Sequence, residues 1–144
     1  MSRFDSFRGQ RGRFLPPSQK QKRVQAELRG RLAESLCAAR LLLTGWRILA
    51  RRLKAKAGSG LGEVDIVARR GAVIAFIEVK ARLDPTAALD AVTAMQRARI
   101  ARAADVFIQR RAECADCEIR FDVMIVSRSF LPKRIADAWR PELP

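Results

Sequence analysis

The run Ile119-Arg120-Phe121-Asp122-Val123-Met124-Ile125-Val126 constrains the fold more than any other segment, because it is apolar at nearly every position rather than at alternate ones. A strand reads this way when both faces of its sheet are covered. Helices are therefore required above and below it, and the chain offers two. From about Gln21 to Leu43, Leu28, Leu32, Leu36, Ala39 and Leu43 recur at three- and four-residue steps, the helical period, so these residues are expected to line the buried face. Thr86 to Arg111 is rich in Ala and Arg, with Leu89, Val92, Met95 or Gln96, Ile100, Ala103 and Phe107 on roughly one stripe.

Three further strands are expected. Trp46 to Leu53 forms the first, and Glu63 to Ala68 and Val73 to Val79 make an antiparallel hairpin around Arg69-Arg70-Gly71-Ala72. The order helix, three strands, helix, strand describes an α/β protein with a mixed central sheet flanked by helices. At 144 residues and 49% apolar composition the chain suits one core, placed at residues 21–144. Met1 to Lys20 mixes Arg, Gly, Ser and Gln with almost no apolar periodicity, and reads as a disordered basic arm. Phe130 to Pro144 carries no firm assignment.

Lysine and arginine outnumber aspartate and glutamate 29 to 15, a net charge of +14. The first 31 residues hold nine basic groups against Asp5 and Glu27, so half of the excess belongs to the folded part. A polyanion is the natural partner. With aromatic residues at 6% and tyrosine absent, recognition is expected through backbone and shape rather than base stacking. No apolar run approaches the roughly 18 to 20 residues of a membrane span. Three cysteines without a signal peptide point to a reducing, cytoplasmic setting. Cys114 and Cys117 form a CxxC that only Cys37 could join, short of a closed zinc site, so loop packing is expected of them.

Histidine is absent, which removes histidine-based triads and leaves carboxylates, lysine and water to carry any chemistry. A hairpin turning near Gly71 places Asp65 opposite positions 76 to 78, within one pair of Glu78. Along the second hairpin strand Ile74, Phe76, Glu78 and Lys80 share a face, so a Glu and a Lys emerge together where an apolar strand ends. Strand ends of open sheets are where ligands bind. Oxygen-only ligands suit Mg²⁺ or Mn²⁺, which activate water and neutralise phosphate oxygens in phosphodiester hydrolysis. The plain alternative is a salt bridge at a strand end. Arg51, Arg52, Lys54 and Lys56 lead into Gly58-Ser59-Gly60, a loop against which phosphate could sit.

Around these residues lie Gly30-Arg31-Leu32-Ala33-Glu34, Gly62-Glu63-Val64-Asp65-Ile66, Phe76-Ile77-Glu78-Val79-Lys80 and Arg120-Phe121-Asp122-Val123. Together, over about Gln21 to Ala138, they resemble the YraN family of bacterial endonuclease-like proteins. That family is similar to the PD-(D/E)XK nucleases and to archaeal Holliday-junction resolvases, which implies a restriction-endonuclease-like core. The resemblance implies Asp65 and Glu78 as metal ligands with the Val79 carbonyl, and Lys80 as the catalytic lysine. It implies Glu34 as the helix acid, holding a metal-bound water or a second cation, and Gly30 as a point of close approach between helix and sheet. Glu63 stands between supporting Asp65 and pairing with Arg82. Where the family often shows K-x-x-R-[LI], this chain reads Gln96-Arg97-Ala98-Arg99-Ile100. Gln96 can orient water or contact phosphate, or face solvent; Arg97, Arg99 and Arg102 can contact phosphate or form a solvated face. Asp122 is expected to anchor a hydrogen bond to an arginine. The implied function is a metal-dependent nuclease acting on branched or damaged DNA in repair or recombination, with a non-catalytic nucleic-acid-binding protein and a basic structural protein as the alternatives. The resolvase likeness admits a homodimer.

Overall fold

The structure, a computed structural model, describes residues 17–54, 62–81, 87 and 92–141. Most of the basic arm, Lys56, Gly58-Ser59-Gly60 and Arg82 lie outside the described residues.

Helix α1 spans Gln19–Leu43 and starts in a capping box, in which the Ser18 hydroxyl accepts the Gln21 N–H and the Gln21 side chain accepts the Ser18 N–H. It stops at Thr44, and Gly45 turns the chain with φ 84°, a left-handed conformation that glycine adopts freely. Strands β1 (Arg47–Leu53), β2 (Val64–Arg70) and β3 (Val73–Ala81) follow. Helix α2 (Ala94–Gln109) and a single 3-10 turn at Ala112–Cys114 lead to β4 (Glu118–Val126) and β5 (Lys133–Trp139). The five strands lie in chain order, and only β3 and β4 pair in parallel. Parallel neighbours need a long crossover, and α2 lies within it.

The apolar β4 is covered on both faces, as expected. Met124 and Val126 pack with Ala33, Cys37, Ala38 and Leu41 of α1, and Phe121 packs with Ile100, Ala103, Ala104 and Phe107 of α2. No helix among the described residues is long and apolar enough to cross a membrane.

Four expectations need correction. The buried face of α1 is Ala33, Glu34, Cys37, Ala38 and Leu41, whereas Leu28, Leu32 and Leu43 are 61%, 50% and 88% exposed. Small side chains at 33, 37 and 38 let the helix settle onto Ala68 and Ala75; the bulkier leucine stripe points elsewhere. Gly30 is not a point of close approach, since a Cβ there would meet nothing within 4 Å. The helical run expected from Thr86 is interrupted at Val92 and Thr93, and helix α2 starts at Ala94, where Thr93 caps it by accepting the Gln96 N–H; residues 82–86 and 88–91 lie outside the described residues. A fifth strand extends the sheet, its Trp139 stacked on Phe121 at 4.2 Å between ring centres.

The reassigned helix face makes a direct test. Leu41→Ala, at a position 1% exposed, is expected to cost about 2 to 5 kcal/mol in urea unfolding, while Leu28→Ala stays within about 0.5 kcal/mol of the parent.

Candidate carboxylate and lysine site

The hairpin sets the site. Pairing of Ile66 with Ile77 makes Asp65 and Glu78 the next opposed positions, on the face away from Ile66 and Ile77 and towards α2. Glu78 is 7% exposed, and one of its oxygens is held twice. Lys80 Nζ lies 2.9 Å from Oε1, and Gln96 Nε2 donates to the same atom at 2.6 Å. Thr93 is what delivers Gln96: as the helix cap it puts residue 96 in the first turn of α2, over the end of β3. Of the two readings left open for Gln96, the structure favours the first: half-buried in the cleft wall, its amide is seated on a site carboxylate.

Asp65 is half-buried, and its Oδ2 accepts the Val79 N–H at 2.7 Å. Burial and the neighbouring Glu78 charge push its carboxyl up to about 7, with Glu34 adding to them; the Val79 N–H and Lys80 pull the other way. An open cleft of about 390 Å³ lies over the pair, with Gly62, Thr93, Gln96 and Arg99 in its walls. Gly62 is a site residue that motif reading passed over. A Cβ there would sit 2.9 Å from the Arg99 Cβ and 3.2 Å from its carbonyl carbon, so only glycine lets the approach to β2 lie against α2. The signal was present as the glycine that opens Gly62-Glu63-Val64-Asp65.

Glu34 is brought near but is engaged differently. Arg52 binds it in a fork, Nε to Oε2 at 2.7 Å and Nη2 to Oε1 at 3.1 Å, from a backbone at φ 50° that few non-glycine residues adopt. Arg52, expected among the phosphate contacts, therefore spends its charge on Glu34. Among the described residues no three carboxylate or thiol groups converge to hold an ion. The donor set that remains, two carboxylates and no sulfur or imidazole, fits a hard cation that retains water.

The other expected contacts divide. Arg51 is exposed and donates to Ser35 Oγ at 3.2 Å. Lys54 is exposed, with Glu63 at 3.9 Å; Arg99 is exposed in the cleft wall. Arg97 is half-buried and donates to the Val92 carbonyl at 3.1 Å, which fixes the entry to α2. Asp122 anchors arginines as expected, bound by Arg120 at 2.8 and 3.1 Å and by Arg134 at 3.2 Å. Cys37 sits in the core under α1, its thiol pushed up to about 12 by burial, with Asp65 and Glu34 adding to it; Cys114 packs in the core under α2.

A carboxyl raised from 3.8 to about 7 by folding binds its proton more tightly in the folded state. The associated stability is complete below about pH 4 and is lost as pH rises through 7. Asp65→Asn is therefore expected to stabilise the protein by about 1 to 3 kcal/mol at pH 8, and by nothing near pH 4, in unfolding curves taken without divalent ions.

Comparison with known proteins places the chain. Residues 33–126 match the family described as uncharacterised protein family UPF0102. The UPF0102 protein of Paramagnetospirillum magneticum is 50% identical over 125 residues, covering 87% of this chain and 95% of its own. That of Parvibaculum lavamentivorans is 44% identical over 112 residues, 78% of this chain and 81% of its own. That of Agrobacterium fabrum is 43% identical over 121 residues, 84% of this chain and 96% of its own. With the family match spanning more than half its length, this chain belongs to the UPF0102 family.

Proposed function

We propose that this protein is a divalent-cation-dependent nuclease that hydrolyses phosphodiester bonds in branched or damaged DNA. The observation that carries the reading is the meeting of Asp65, Glu78, Lys80 and Gln96 at one end of the β2 and β3 hairpin, beneath an open cleft. Their types and order resemble the PD-(D/E)XK nucleases, as does the mixed sheet with helices on both faces.

Asp65 and Glu78 would hold Mg²⁺ or Mn²⁺, with the Val79 carbonyl as a third oxygen. When bound, the ion supplies Lewis acidity, acidifying water and neutralising charge on the phosphate. The remaining work falls to side chains. Lys80, released from sole duty to Glu78, donates to the oxygen on which negative charge gathers. Gln96 keeps one amide hydrogen on Glu78 and has a carbonyl oxygen free to orient the attacking water. Arg99 in the cleft wall, with Arg51 and Lys54 beyond, grips backbone phosphates without reading bases.

A second reading has its own observation. Glu34 is closed off by Arg52, which leaves two carboxylates where an additional acid was expected. A nucleic-acid-binding protein of nuclease ancestry accounts for that pairing and for the net charge of +14.

Incubation with fork, flap, four-way and linear DNA in Mg²⁺ or Mn²⁺ separates the two. Cleavage is expected, reduced at least about 100-fold by Asp65→Asn, Glu78→Gln or Lys80→Met. Cleavage undiminished in those variants overturns the proposal; salt-dependent binding without cleavage in the parent supports the second reading. Mg²⁺ at about 100 times its dissociation constant is expected to stabilise the parent by about 2.7 kcal/mol, and to leave the melting temperature of the Asp65→Asn, Glu78→Gln double variant unmoved.

A further inference from the structure

A second concentration of charge lies on the α1 face of the sheet, beyond the C-terminal end of that helix and on the opposite face from Glu78. Arg70 ends β2, Arg120 comes early in β4, and Arg134 reaches in from β5. Their guanidinium carbons stand 5.0, 5.4 and 4.4 Å from the centre of one indole ring, that of Trp46.

The charges there do not balance. Asp122 is the one carboxylate within ion-pair reach among the described residues, and it is already saturated by Arg120, Arg134 and the Asp137 N–H at 2.9 Å. Among the described residues Arg70 donates to a backbone oxygen only, that of Thr44 at 3.3 Å. Three cations therefore face one anion. Burial holds the Arg134 guanidinium below its ordinary range, opposed by Asp122, and Arg120 and Arg70 lower it further. The ring they surround adds an unmet donor, since Trp46 is 3% exposed and its indole N–H has no acceptor among the described residues. A buried donor left unpaired is costly. The cluster is still reachable: the Arg120 and Arg134 side chains keep 18% and 20% exposure, and Arg70 is exposed.

We infer that Arg70, Arg120 and Arg134, grouped on Trp46, form a binding site for a phosphate-class oxyanion, distinct from the carboxylate site. An oxyanion supplies what the cluster lacks, namely negative charge and several acceptors for planar guanidinium donors. Phosphate in a nucleic-acid backbone and a small phosphate present the same chemistry. The inference does not depend on the nuclease reading, because no residue is shared between the two sites.

Calorimetric titration of the full chain with inorganic phosphate and pyrophosphate tests it. Saturable binding is expected, unchanged by Asp65→Asn, weakened at least tenfold by Arg70→Gln and abolished by Arg70→Gln with Arg134→Gln. Arg70→Gln alone guards against misfolding, since that side chain is exposed and, apart from its place over the Trp46 ring, donates to a single carbonyl. Absence of saturable binding, or equal affinity in Arg70→Gln, overturns the inference. The source is read from duplex DNA: a salt slope lower by about one per arginine removed identifies backbone phosphate, whereas unchanged DNA binding beside lost pyrophosphate binding identifies a small phosphate.

Discussion

The parallel pairing of β3 with β4, from Val73 with Glu118 to Ala81 with Val126, is the constraint on which the rest depends. Antiparallel neighbours can be joined by a tight turn, but parallel ones cannot, so the chain must leave the sheet after β3 and return to the starting edge of β4. Helix α2 lies on that path, and its N-terminus comes to the end of β3 where Glu78 and Lys80 emerge. The Gln96 contact with Glu78 thus follows from topology as much as from residue type. The same crossover covers the second face of the sheet, which is why β4 tolerates apolar side chains in both directions.

How much of this was legible depends on whether an element's partner is written next to it. The hairpin was, because a turn at Gly71 fixes which residues oppose each other to within one pair, and the register then sets Asp65 directly against Glu78. The strand limits fell within a residue or two for the same reason. The face of α1 was not. Periodicity finds a stripe, but Leu28 with Leu32 and Ala33 with Cys37 form two adjacent stripes on one helix, and only the sheet decides which is covered. Alanines in β2 and β3, Ala68 and Ala75, admit the small-residue stripe and a close approach. The fifth strand was hidden because Lys133 to Trp139 is an edge strand with only Trp139 fully buried and no apolar alternation. Arg52 shows the limit of counting charge: a string of four basic residues cannot say which member is consumed by a carboxylate far away in sequence.

Among the described residues, four acids drawn into the body of the protein show how the site differs from its surroundings. Asp122 is fully buried, yet two arginines and a backbone N–H meet its oxygens. Glu34 is 8% exposed and takes a fork from Arg52. Glu78 has a lysine and an amide on a single oxygen. Asp65 has one backbone N–H and no cation within ion-pair distance among the described residues, and its carboxyl rises to about 7.

A chain carrying 29 basic residues is not short of arginines to place beside a carboxylate. That it neutralises Asp122 and Glu34 and leaves Asp65 bare is difficult to explain as stabilisation, since a buried, repelled carboxylate is a cost in every account of folding. It is intelligible as readiness. On the proposed reading, two opposed carboxylates, one of them without a cation beside it, leave a deficit of positive charge at the mouth of a cleft that a small cation would fill. On the same reading Arg52, by pairing with Glu34, would leave two carboxylates to meet a single divalent ion.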